Sequence, residues 1–166
     1  MKRYNDYEVM TFNYLKNYNQ FKIAIKNLET DKEIIIEQLT SFSVAISKYS
    51  TEAGGGYNEL SQTESSVDRR IKLEGDLAKI EFNLKILKGK IEKIDRSLAA
   101  LNPDSKNIIE KRFFDTYDWW QIARLTNYSE RWCQRINSKA VKELSKMIFG
   151  SYQAELDFNF VSAVDN

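Results

Sequence analysis

The 166-residue chain carries 25 Lys and Arg against 24 Asp and Glu, with no His and one Cys. Without His there is no His general base, Ser-His-Asp triad or His metal ligand, and a single Cys makes neither an intrachain disulfide nor a thiolate metal cluster. With no GxxxxGK[ST] or GxGxxG loop, no singled-out carboxylate pair and no apolar run of 18 residues, the sequence predicts a non-enzymatic protein that uses no cofactor and spans no membrane.

The opening MKRYNDYEVM lacks the apolar core of a signal peptide, so a cytoplasmic location is expected. Residues 1 to about 47 read as one long helix with room for a bend. Tyr18, Phe21, Ile25, Leu28, Ile35, Leu39, Phe42 and Ile46 recur at three- and four-residue spacings, and only Lys32 interrupts the seam. A lysine there either fixes the register of a pairing or snorkels at a bend. Residues 48 to 65 lose the periodicity and are rich in Ser, Thr, Gly and Glu, so they predict a linker, with Gly54 to Gly56 as a flexible connection rather than a phosphate-binding turn. Ser65 and Asp68 supply a capping-box-like start for the next helix.

From residue 66 to about 101 the seam is unbroken: Leu73, Leu77, Ile80, Leu84, Leu87, Ile91, Ile94, Leu98 and Leu101 alternate spacings of four and three. Its lysines are interleaved with acids, and residues 51 to 102 hold nine charges of each sign, which describes a solvated face rather than a nucleic-acid stripe. Two such helices joined by a Gly-containing linker predict a long antiparallel, coiled-coil-like hairpin over residues 1–101. Pairing between two copies is the alternative.

Asn102 before Pro103, the chain's one proline, pairs an N-cap side chain with a residue suited to the first helical position. The stripe Ile108, Ile109, Arg112, Phe113 ends at Asp115 to Asp118, and a new helix is expected near Trp119. In a twenty-residue frame from Trp119 to Ser138, the positions that a helix-turn-helix buries hold Ile122, Thr126, Tyr128, Cys133 and Ile136, with the small Ala123 at the crossing. Asn127 occupies the turn position that needs positive φ, and Ser129 is the N-cap candidate for the second helix. Trp119 is expected in the core, Trp120 off the stripe, and Trp132 packed. In the second helix Cys133, Ile136, Ala140 and Leu144 form the buried stripe. From Trp119 to Met147 six basic residues face two acidic ones, and that surplus points to a polyanion.

The string WWQIARLTNYSERWCQRINSKAVKEL resembles the region 4 helix-turn-helix of sigma factors, in the form found in phage-encoded regulators of the ArpU and RinA type. YLKNYNQFKIAIKNLE and SQTESSVDRRIKLEGDLAKIEFNLKILKGKIEKI are similar to the helical N-terminal half of those regulators, so the resemblance covers about residues 10 to 148. Trp119, Trp120, Ile122, Ala123, Ser129 and Ala140 carry most of it. Thr126 and Cys133 depart from it, each standing where a larger or branched apolar residue is usual. The resemblance implies a phage or prophage regulator that activates late genes and contacts RNA polymerase.

The expectation is an all-α protein: a hairpin over residues 1–101, a DNA-binding helix-turn-helix over 102–149, and an acidic, aromatic tail over 150–166. That tail either meets RNA polymerase, masks the basic helix, packs back on the helix-turn-helix or is disordered. Ser129, Glu130, Arg131, Trp132, Gln134, Arg135, Ser138, Lys139 and Lys142 are the expected contacts to double-stranded DNA, since Arg forks onto guanine, Gln bridges adenine, and Lys and Ser hold phosphates. A homodimer on spaced half-sites is the expected assembly. A coiled-coil adaptor and a DNA-packaging recognition subunit are the alternatives.

Overall fold

A computed structural model describes the backbone of residues 6–51 and 58–164 and the side chains of residues 6–43 and 66–150. The protein is all-α. Among the described residues there is no strand, and the helices are α1 (Asp6–Lys16), α2 (Tyr18–Thr51), α3 (Asn58–Ala99), α4 (Pro103–Ile109), α5 (Trp119–Thr126) and α6 (Glu130–Val164). A π-helical turn, Glu110–Phe114, continues α4.

The long first helix is interrupted at Asn17, where α1 ends and α2 begins. The Asn17 backbone N–H still donates to the Asn13 carbonyl at 3.1 Å and Phe21 N–H to the Asn17 carbonyl at 2.9 Å, so the break is a bend that keeps its helical hydrogen bonds. The segment read as a linker is largely helical: α2 runs on to Thr51 and α3 starts at Asn58, ahead of Ser65 and Asp68. Once a helix is nucleated, each added residue contributes its own backbone hydrogen bond, so Ser, Thr and Glu extend it without apolar periodicity. Gly54 to Gly56 and the side chains of Ile46 and of residues 151–166 lie outside the described residues. The tail backbone continues α6 to Val164, across a non-helical residue at Phe149 (φ −120°, ψ 15°).

The chain divides into two compact units, residues 23–88 and residues 1–22 with 89–166. The division falls within α2 and α3 rather than at residue 101.

In the first unit α2 and α3 run antiparallel, because partner numbers fall along α3 as they rise along α2. Glu29 meets Lys88 at 2.5 Å, Lys32 meets Glu81 at 2.7 Å, and the Arg69 guanidinium lies 5.1 Å from the centre of the Phe42 ring. Lys32 therefore sits in the seam with an acidic partner on α3. Seam residues Ile25, Leu28, Ile35, Leu39, Leu73, Leu77 and Ile80 are half-buried, and among the described residues of this unit only Leu84 is buried.

The second unit holds the main core. Leu15, Tyr18, Ile94, Leu98, Leu101, Ile109, Phe113, Ala140, Val141, Leu144, Ile148 and Phe149 cluster, with Tyr7, Tyr14 and Phe114 packed against them. Tyr18 is the polar member. Its ring stacks on Phe114 at 4.1 Å and its hydroxyl donates to Asp95 Oδ1 at 2.7 Å. Burial, together with that carboxylate, pushes the Tyr18 pKa up to about 12. A folded-state pKa above the unfolded value of 10 stabilises the fold below pH 10, and this contribution is lost as pH rises from 10 towards 12. Alkaline unfolding of the wild type followed by circular dichroism should thus show a loss of stability over that window that Tyr18→Phe lacks.

Candidate nucleic-acid interface

Asn102 caps α4, its side-chain oxygen accepting from the Ser105 N–H at 2.8 Å. The helix then widens into the π-turn, where the Asp115 N–H reaches the Glu110 carbonyl five residues back at 3.0 Å, and the Asn19 side chain donates to the Phe114 carbonyl at 2.9 Å. Arg112 holds the segment that leads to α5. Its Nη1 donates to the Tyr117 carbonyl at 2.8 Å and lies 3.7 Å from Asp118 Oδ1, and its guanidinium rests over the Trp119 ring at 4.9 Å. Both the π-turn and this arginine were missed in the sequence. The i, i+4 spacing of Arg112 made it look like an apolar stem, and no residue pattern announced an i→i+5 bond.

Thr116 in the same segment has φ 59°, an outlying conformation for a β-branched residue. Positions of this kind cost on the order of 1–3 kcal/mol. Thr116→Gly is expected to raise the melting temperature, by about 1 kcal/mol of stability, with no loss of helical signal.

Gln121 Oε1 accepts from the Asp118 N–H at 2.8 Å at the start of α5. Asn127 ends that helix at φ 57°, ψ 26°, the left-handed turn its side chain tolerates. Ser129 caps α6, with its Oγ accepting from the Trp132 N–H at 3.2 Å. The two helices close over a small core of Ile108, Ile122 and Cys133, to which Tyr117, Trp119, Ala123 and Ile136 add half-buried surface. Thr126 is half-buried here, its hydroxyl donating to the Ile122 carbonyl at 2.8 Å and lying 3.6 Å from Cys133 Sγ. The Thr126 hydroxyl is thus satisfied by the backbone of its own helix, so a polar side chain is tolerated beside this core.

Two expectations are corrected. Tyr128 is exposed rather than buried. Its hydroxyl donates to Asp104 Oδ2 at 3.0 Å on α4, and that carboxylate raises the tyrosine pKa. A phenol needs a partner for its O–H, and the small cluster around Cys133 offers none, so the ring turns out to the edge. Trp132 is 44% exposed rather than packed, one residue before Cys133 and so about 100° around the helix from the core stripe. The Arg135 guanidinium lies over its ring at 5.4 Å.

Along α6 the buried stripe is Cys133, Ala140 and Leu144, with Ile136 half-buried. Val141, Ser145, Ile148 and Phe149 widen it, because α6 packs on α1 as well as on α4 and α5. Glu130, Arg131, Gln134, Arg135, Lys139 and Lys142 are exposed. Arg131, Arg135, Ser138 and Lys142, at i, i+4, i+7 and i+11, lie on one line roughly opposite Cys133. Ser138 is half-buried and spends its hydroxyl on the Gln134 carbonyl at 2.9 Å, and Lys139 lies 3.9 Å from Glu143 on the border of the basic face. Beside that face is a groove of about 320 Å³ lined by Asp104, Tyr128, Trp132, Arg135, Ile136 and Lys139 among others. The result is a cationic helix face with an aromatic ring at its edge, borne on a capped turn.

Among the described residues no group of three or more His, Cys, Asp or Glu side chains is placed to hold a metal ion, and no helix is long and apolar enough to cross a membrane. Residues 44–146 match the model of a family described as "protein of unknown function (DUF722)". No curated protein and no solved structure matches the chain.

Proposed function

The chain belongs to the DUF722 family, whose description assigns no activity, and we propose from its own geometry that it is a sequence-specific double-stranded-DNA-binding regulator of transcription. The observation that carries this reading is the line Arg131, Arg135, Ser138 and Lys142 on the outer face of α6, presented just after a left-handed turn and a serine cap. In this reading the first turns of α6 enter the major groove. Arg131, Gln134 and Arg135 meet base edges, while Ser129, Lys139 and Lys142 hold phosphates on either side, joined by Ser138 when its O–H turns from the Gln134 carbonyl. Trp132 supplies an apolar edge for sugars, and the Arg135 guanidinium above its ring is held ready for a planar partner. Glu130, at the N-terminal end of α6, favours that helix end and accepts from cytosine amino groups.

A phage or prophage setting, late-gene activation and contact with RNA polymerase come with the resemblance to sigma region 4 regulators and belong to the same proposal, as does a cytoplasmic location, where such a regulator meets DNA. So does action as a homodimer, since one unit with a handful of phosphate contacts binds weakly and two gain by avidity.

Selection of bound duplexes from a random pool, with the winner's affinity titrated against salt, tests the reading. A recurrent motif and a log–log salt slope of about −4 or steeper is the expected result. Absence of both enrichment and salt dependence would remove the DNA function and leave an association role for α2 and α3.

A further inference from the structure

The groove between the start of α4 and the side of α6 differs in chemistry from the basic face beside it. Its volume of about 320 Å³ lies at the lower end of the roughly 300–1,000 Å³ usual for small-ligand sites, too small for a duplex but suited to one nucleotide unit. Trp132, Arg135 and Lys139 line it from one side of α6, at spacings of three and four. Tyr128 and Asp104 line it too, joined by their 3.0 Å hydrogen bond. Two polar groups here have bonding capacity to spare. Asp104 spends Oδ2 on the Tyr128 hydroxyl, while its Oδ1 has no hydrogen bond among the described residues. Ser105 lines the groove and is only 4% exposed. Asn102 takes its backbone N–H, but its hydroxyl has no partner among the described residues. Enclosed hydroxyls seldom go unbonded, so this one is available to a ligand that enters the groove.

We propose that the groove binds one unpaired nucleotide whose base carries an exocyclic amino group. The Arg135 guanidinium backs one face of the Trp132 indole at 5.4 Å, and the base stacks on the other. Asp104 Oδ1 accepts from the amino group, as carboxylates do from cytosine N4, whereas thymine presents an acceptor oxygen there and is refused. Ser105 supplies a second hydrogen bond, and Lys139 holds the phosphate. Lys139 reaches Glu143 at 3.9 Å, and so exposed a pair exchanges at little cost. An acidic peptide would set its carboxylates against Asp104, and a neutral sugar would make no use of the lysine charge. A base extruded from a bound strand and a free mononucleotide share the required chemistry. Trp132, Arg135 and Lys139 also serve the DNA-binding reading, so this site rests on that reading, but it is tested without a duplex.

Fluorescence anisotropy of labelled single strands on the full chain is the test. Oligodeoxycytidine should bind about fivefold or more tightly than oligothymidine of equal length. Trp132→Ala should weaken both by about fivefold or more, and Asp104→Ala should remove the preference while leaving oligothymidine binding unchanged, each with wild-type circular dichroism. Should Trp132→Ala fail to fold, the preference lost in Asp104→Ala decides. Displacement of the strand by deoxycytidine monophosphate would assign a free mononucleotide as the ligand; a strand that the monophosphate does not displace would assign a nucleotide within a strand. Absence of single-strand binding, equal binding of the two strands by the wild type, or a folded Trp132→Ala that binds as the wild type does would overturn the proposal. Binding of a selected duplex alone would sink the groove and keep the DNA reading; base-selective binding of single strands alone would do the reverse.

Discussion

Ile122→Ala is expected to cost about 2–5 kcal/mol of stability. Ile122 has no accessible surface and shares a core of three fully buried residues with Ile108 and Cys133. A core this small has few neighbours that can move in, so the cavity left by the substitution stays open. Chemical denaturation of wild type and variant gives the difference directly. DNA affinity should fall in proportion to the fraction unfolded. Near-wild-type stability would mean that α5 is not packed through Ile122.

Arg135→Ala is expected to cost about 1–3 kcal/mol in binding to the selected duplex and to relax discrimination at one base pair. Arg135 is exposed on the outer line of α6, and its one described contact is the Trp132 ring, so its removal leaves the fold intact. Lys142→Ala, two turns further along the same line, should instead weaken all duplexes alike and make the salt slope shallower by about one. Competition titrations with matched and singly mismatched duplexes separate the two. Equal losses on every sequence for both variants would contradict the assignment of base and phosphate contacts along α6.

The helices were legible wherever apolar spacing or capping chemistry was strong. The Leu73 to Leu101 repeat, the Asn102–Pro103 start, the Asn127 turn and the Ser129 cap each rest on one residue type with a specific backbone preference, so the backbone follows them. The basic face of α6 was legible for the same reason: the buried stripe through Cys133, Ala140 and Leu144 fixes what lies opposite. What did not show in the sequence depends on tertiary partners. The π-turn at Glu110–Phe114 is held by Asn19 from α2, the bridging role of Arg112 needs the Tyr117 carbonyl and Trp119 ring, and Tyr128 turns outward to donate its O–H to Asp104. At the edges of the segment read as a linker, residues 48–51 and 58–65 are helical, since small polar side chains still add backbone hydrogen bonds to a long adjoining helix.

The most direct test of the central claim is the amide spectrum of the isotopically labelled full chain titrated with its selected duplex. Shifts concentrated in residues 124 to 142, greatest at Arg131, Gln134 and Arg135, are the predicted result. Shifts confined to α2 and α3, with α6 unmoved, would contradict it.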